Sequence, residues 1–206
     1  MNLIIAAMLE EVLLYSKEAK LIEETPFLVY KKEDVYLIVS GIGKVNAASA
    51  LTYMLSRYPN IQQIINIGFV GGYPPLKQGD IVKVEKTKYH DFDLQIFGYE
   101  HGQVPKMPTY YESNELLYSV LNYKPVLLYT GDKFLTTALE TTSDYIVDME
   151  GAAYYQVAHL FGKPMVSVKV VSDVIGSVDQ VSSYKDFENK KHQLVYEVLK
   201  KILMED

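Results

Sequence analysis

Three acidic residues stand where carboxylate chemistry could be done: Glu11, Glu150 and Asp173. Glu11 follows the apolar run Leu3 to Leu9, Glu150 opens a helical stretch after Tyr145-Ile146-Val147, and Asp173 closes the apolar run that starts at Met165. In open α/β folds, ligands bind beyond the carboxyl ends of strands, and these acids lie at three such ends. Carboxylates with separated pKa values are the usual means of breaking a glycosidic bond: one protonates the leaving group and one activates water. Any one of the acids is equally well explained as a helix cap or a first-turn residue favoured by the helix dipole. Their recurrence at three strand ends favours a small-molecule site.

The other motifs are weaker. Ser40-Gly41-Ile42-Gly43-Lys44 lacks the first glycine and the final Ser or Thr of a phosphate-binding loop, and it lacks the third glycine of a dinucleotide fingerprint. Tight packing of a strand against a helix is its simpler reading. Gly68-Phe69-Val70-Gly71-Gly72 reads as a turn after a buried strand, where something can approach the backbone closely. His90, His101, His159 and His192 show no metal-ligand spacing, and His159 and His192 read as structural or solvated. Tyr110-Tyr111 and Tyr154-Tyr155 read as packing, and Lys190-Lys191 and Lys200-Lys201 as a solvated helix face.

The elements that must position the acids follow from periodicity. Leu3 to Met8, Gln63 to Ile67, Ile81 to Val84, Val126 to Tyr129, Tyr145 to Val147 and Met165 to Val171 are short apolar runs expected as strands. Phe27 to Tyr30 and Val35 to Val39 flank a polar connection and predict a hairpin. Helices are expected over Glu10 to Lys20, Val45 to Tyr58, Leu116 to Leu121, Glu150 to Phe161 and Tyr184 to Met204, with a long polar and aromatic loop from Tyr89 to Pro108. Strands that are apolar on both faces and alternate with helices imply an α/β sandwich on a mixed sheet, in one domain over residues 1–206.

Composition narrows the function. The chain has 206 residues and a net charge of −6, which disfavours a nucleic-acid or anionic-membrane partner. Arg57 is the only arginine, so a two-pronged arginine clamp on phosphate is not expected. Cysteine is absent, which excludes disulfides, thiolate catalysis and cysteine-held metals. The run Leu3 to Leu9 follows no basic segment and is too short to span a bilayer, so a cytoplasmic protein is expected.

The residues resemble a known family. Ala7-Met8-Leu9-Glu10-Glu11-Val12, Ser40 to Ala48, Asn66 to Gly72, Gly79-Asp80-Ile81-Val82, Tyr89-His90-Asp91, Phe97 to Gln103, Gly131 to Phe134, Asp148-Met149-Glu150 and Val171-Ser172-Asp173 are similar, in order, to the methylthioadenosine/S-adenosylhomocysteine nucleosidases of the purine nucleoside phosphorylase superfamily. The resemblance implies a nucleoside phosphorylase-like three-layer α/β/α sandwich with a central mixed sheet, a homodimer, no cofactor and no metal. It implies a nucleoside substrate and water, with adenine and a thioribose as products. Glu11 matches the general base and Asp173 the acid that protonates N7 of adenine. Glu150 matches the carboxylate on the ribose hydroxyls and Met149 the side chain beneath the ribose. Phe134 matches the ring stacked on adenine, and the backbone of Leu135 matches the group that bonds the base edge. Ser172 matches the residue orienting Asp173. Phe97 matches an aromatic contributed across the dimer to the 5′-thioether pocket, and Tyr184 one on the other wall, at shifted spacing.

The chain departs from the family pattern at Phe69, where a serine near the water and ribose is usual, and at Lys169, where an arginine helping to place the water is common. Asp148 replaces a longer acid, and the stretch Leu135 to Ile146 is short. A sibling nucleosidase with another 5′ group such as futalosine, a purine nucleoside phosphorylase, and a nucleoside binder with little catalysis are the alternatives.

Overall fold

The computed structural model describes residues 1–141, 143–190 and 192–203. Its elements run β1 (Asn2–Ala6), α1 (Leu9–Glu18), β2 (Lys20–Glu23), β3 (Leu28–Lys32), β4 (Val35–Val39), α2 (Lys44–Arg57), β5 (Gln63–Gly72) and β6 (Ile81–Tyr89). A 3₁₀ turn follows at Gln95–Phe97. Then come β7 (Tyr111–Glu112), α3 (Glu115–Ser119), β8 (Lys124–Thr130), β9 (Tyr145–Asp148), α4 (Gly151–Leu160), β10 (Met165–Val174), α5 (Gln180–Lys190) and α6 (His192–Leu203).

The strands form one mixed sheet in the order β10-β6-β8-β9-β5-β1-β4-β3-β2, with β7 on β6 and a further pairing of β10 with β5. That extra pairing closes β5, β10, β6, β8 and β9 into a ring. β5 makes it possible. It pairs with β10 along its length, while its first residues pair with β1 and its last two glycines with β9. Side chains alternate across the sheet. Leu3 and Ile5 of β1 join the core under α2 and α4, whereas Ile4 and Ala6 join the core under α1, α5 and α6. Helices on both faces of a mixed sheet make the expected three-layer α/β/α architecture.

Several expected boundaries move. The Gly68 to Gly72 turn is strand: β5 continues through it, because β10 offers a partner for its backbone from Met165 to Val174. Asp173 likewise lies within β10, at a bulge between Val171 and Asp173. The first helix stops at Glu18, and Lys20–Glu23 forms the edge strand β2, whose Leu21 and Ile22 are partly exposed and give little periodic signal. The last helical region starts four residues early, at Gln180, and comprises α5 and α6; Met204 lies outside the described residues. Among the described residues, no helix is long and apolar enough to cross a membrane.

Candidate active site

At the carboxyl ends of β1, β5, β9 and β10 the structure holds a cavity of about 230 Å³. Glu11, Glu150 and Asp173 all reach its wall, together with Met8, Phe69, Phe134, Leu135, Met149, Ser172 and Tyr184. Ile42, Lys133 and Gln180 complete much of the rest.

Glu11 sits in the first turn of α1, and its carboxylate turns back over β5. Oε2 accepts the Ala7 and Met8 amides, both at 2.9 Å, and Oε1 accepts the Phe69 amide at 2.7 Å. The helix-cap reading and the site reading therefore both hold: the amides that a first-turn acid caps also aim this one. Gly68 makes room for it, since a Cβ there would lie 2.6 Å from Glu11 Oε1. What approaches the glycine backbone of β5 is thus a carboxylate. Burial pushes the Glu11 pKa up, against the Lys169 charge and the three amide hydrogen bonds.

Asp173 is aimed from β10. Ser172 Oγ donates to its Oδ1 at 2.6 Å, and Gln180 Nε2 donates to its Oδ2 at 2.8 Å. Gly71 leaves space for it, with the missing Cβ 3.3 Å from Oδ2. Burial raises the Asp173 pKa, and the two donors oppose the shift. Glu150 precedes α4, where Oε1 accepts the Gly43 amide at 2.7 Å. The Gly41-Ile42-Gly43 segment, expected only to pack a strand on a helix, thus anchors a site carboxylate. Burial, then the neighbouring Asp148 charge, pushes the Glu150 pKa well above the carboxylate range.

Lys169 is 3% exposed and does not reach the cavity wall. Its Nζ pairs at 3.1 Å with Oδ2 of Asp148, which itself lines the cavity. Asp148 also accepts from Thr130 Oγ1 and from the Gly151 amide, so it caps α4. Phe69 turns its ring edge-on to Phe187 of α5 at 5.3 Å and is largely buried in the core, while its amide serves Glu11. Phe134 and Tyr184 meet edge-to-face at 5.6 Å across the mouth. Phe97 is brought to no site in its own chain: it is 73% exposed on the 3₁₀ turn.

Arg57 lies at the end of α2 and pairs with Glu23 Oε1 at 3.0 Å. His159 stacks edge-on to Tyr111, and His192 Nδ1 meets the Glu10 carbonyl. The residue that sequence reasoning passed over is Gln180. It is buried, yet nothing in its local sequence distinguishes it from a solvated helix start.

The chain matches the model of the phosphorylase superfamily over residues 3–204. It is 36% identical to a 5′-methylthioadenosine/S-adenosylhomocysteine nucleosidase of Bacillus velezensis, over 97% of this chain and 98% of that one. Among solved structures, the Streptococcus pneumoniae enzyme of the same name, with a transition-state inhibitor, superposes with a TM-score of 0.90 at 26% identity, covering 98% of each chain. The Colwellia psychrerythraea enzyme in complex with adenine gives 0.88 at 28% identity, over 99% of this chain and 94% of that one. The chain belongs to the phosphorylase superfamily and, within it, to the family of the 5′-methylthioadenosine/S-adenosylhomocysteine nucleosidases.

Proposed function

We propose that this protein hydrolyses the N-glycosidic bond of 5′-methylthioadenosine and S-adenosylhomocysteine, releasing adenine and the thioribose. The observation that carries the reading is the meeting of Glu11, Glu150 and Asp173, each buried and each held by named donors, in one cavity. Adenine leaves poorly as an anion. Asp173, whose environment favours the protonated form, gives its proton to N7 as the bond from C1′ to N9 breaks and the electron pair passes to the base. Glu11 takes a proton from the water whose oxygen bonds to C1′. Glu150 holds the ribose hydroxyls, and the remaining negative charge stabilises the cation-like ribosyl centre. Met149 packs beneath the ribose, Phe134 stacks on the base, and the Leu135 backbone meets the base edge.

Hydrolysis is favoured over phosphorolysis because the chain's one arginine is engaged by Glu23 and Lys169 by Asp148. A homodimer belongs to the same reading: Ile96 and Phe97 leave their apolar side chains in solvent, where a second copy would cover them and gain an aromatic wall for the 5′ group. A cytoplasmic location goes with it. Sedimentation at micromolar concentration tests the dimer, and a monomer would remove Phe97 from the site.

The test is methylthioadenosine in phosphate-free buffer with free adenine followed over time. Release without phosphate supports the hydrolase. Release only after phosphate is added makes the protein a phosphorylase, and binding without release makes it a nucleoside binder. Asp173→Asn lowers adenine release about 10²- to 10⁴-fold, the worth of a positioned acid; near-normal turnover would take the acid role away from Asp173.

A further inference from the structure

Gln180, the first residue of α5, is buried against the cavity with its carboxamide fully engaged. Oε1 accepts the Gly176 amide at 3.0 Å, so the orientation of the group is fixed. Nε2 then donates its two hydrogens to the Leu135 carbonyl at 2.9 Å and to Asp173 Oδ2 at 2.8 Å. The opposite orientation would set a carbonyl oxygen against two acceptors.

One nitrogen with two hydrogens thus bridges a carbonyl and a carboxylate on the wall assigned above to the base. In adenine, N7 and the 6-amino group share an edge. A carboxyl group that faces N7 with one oxygen presents the other to the amino group, and the adjacent carbonyl is the natural second acceptor. The 6-amino group is the same donor as the Gln180 amide, and the two cannot occupy one position.

We propose that Gln180 is a displaceable stand-in for the base: its amide holds the two acceptors of the base subsite and must give way before a 6-aminopurine can seat. The inference rests on the assignment of Asp173 and Leu135 to the base. It makes Gln180 a positioning residue that acts through Asp173. Gln180 donates to Oδ2 and Ser172 to Oδ1, so both oxygens of Asp173 act as acceptors. When the 6-amino group takes the place of Gln180 it donates to Oδ2 in its stead, so the proton for N7 is carried on Oδ1. A ligand that must first displace an occupant has its affinity reduced to the fraction of protein in which the occupant has already left.

Gln180→Met keeps the length of the side chain and removes the donors; Gln180→Ala removes the occupant. Adenine affinity, by calorimetry, should rise about tenfold in both, the effect of about 1.4 kcal/mol of ground-state hydrogen bonding no longer lost on binding. The KM for methylthioadenosine should fall in step. Both variants should melt lower than wild type without ligand and alongside wild type when saturated with adenine. Equal or weaker adenine binding, or the same loss of melting temperature with and without adenine, overturns the proposal and leaves Gln180 a structural residue. Failure of the wild-type protein to bind adenine at all would instead refute the functional reading on which the proposal stands.

Discussion

Gly68→Ala is the sharpest probe of how β5 serves the site. The added Cβ would lie 2.6 Å from Glu11 Oε1 and 3.2 Å from its carboxyl carbon. Gly68 is central in the sheet, paired on β10 with Lys169, so its backbone cannot retreat without breaking that register. The carboxylate must move instead, toward the 3.4 Å of ordinary contact. Doing so stretches the 2.7 Å hydrogen bond from the Phe69 amide. Loss of a hydrogen bond to a charged group costs about 1.5–3 kcal/mol, so the melting temperature should fall by roughly 3–12 °C at 2–4 °C per kcal/mol. The larger effect is catalytic. A misplacement approaching an ångström costs on the order of 100-fold in rate, so adenine release from methylthioadenosine should drop by about that factor in a folded protein. The control is a double-mutant cycle with Glu11→Gln. If the glycine acts through Glu11, Gly68→Ala costs little more once the base is gone. Turnover within threefold of wild type, or full additivity with Glu11→Gln, would refute the claim that Gly68 exists to seat this carboxylate.

Two further outcomes follow from the same geometry. Phe69→Ser removes a buried ring set against Phe187 and should cost about 3–5 kcal/mol of stability, but adenine release measured below the lowered melting temperature should persist, because Phe69 serves Glu11 through its amide, which serine also has. Glu150→Gln should gain on wild type in thermal stability as pH rises from 5 to 8. The folded-state pKa of Glu150 is raised, so its contribution is fully present below the ordinary glutamate value and is lost as pH climbs through the folded one, whereas glutamine does not titrate. Parallel melting curves across that range would show that Glu150 is not held protonated.

Most of the fold was legible from runs of Val, Ile and Leu, because a strand buried on both faces has no alternation to obscure it. β1, β4 and β8 were found in this way, and the Phe27 to Val39 hairpin came from its polar connection. What was illegible was the far half of β5. Glycine carries no side chain to announce a strand, and the reason for Gly68 and Gly71 lies in Glu11 and Asp173, distant in sequence. The three acids were visible because strand ends mark ligand sites, and their roles because whole motifs matched a family. Gln180 was not visible. A glutamine in a polar segment looks solvated, and only the tertiary structure shows its amide between Leu135 and Asp173. Lys169 was visible as a departure from the family, but its pairing with Asp148 depends on the registers of β10 and β9 on β5, which no local pattern gives.

The buried charges explain what Lys169 does from outside the cavity. Among the described residues, the buried charged side chains are Glu11, Asp148, Glu150, Lys169 and Asp173, and all lie in or beside the site. Burying charge is costly, and with Asp173 and Glu150 protonated, the carboxylates of Glu11 and Asp148 against the one ammonium of Lys169 still leave an excess of negative charge. That excess suits a reaction that develops positive charge on the ribosyl centre. It also raises a difficulty, because Glu11 must be ionised to act as a base while burial favours its protonated form. Lys169 is the charge that opposes this at both Glu11 and Glu150. Lys169→Met should therefore move the acid limb of the kcat/KM profile to higher pH, since Glu11 then loses its proton later. Lys169→Arg keeps the charge and should restore the acid limb. Breaking the buried pair with Asp148 costs about 3–5 kcal/mol, so profiles are compared well below the variant's melting temperature. A uniform loss of rate with the acid limb unmoved would mean that Lys169 only holds Asp148 and α4 in place, and that the hydrogen bonds from Ala7, Met8 and Phe69 alone keep the base ionised.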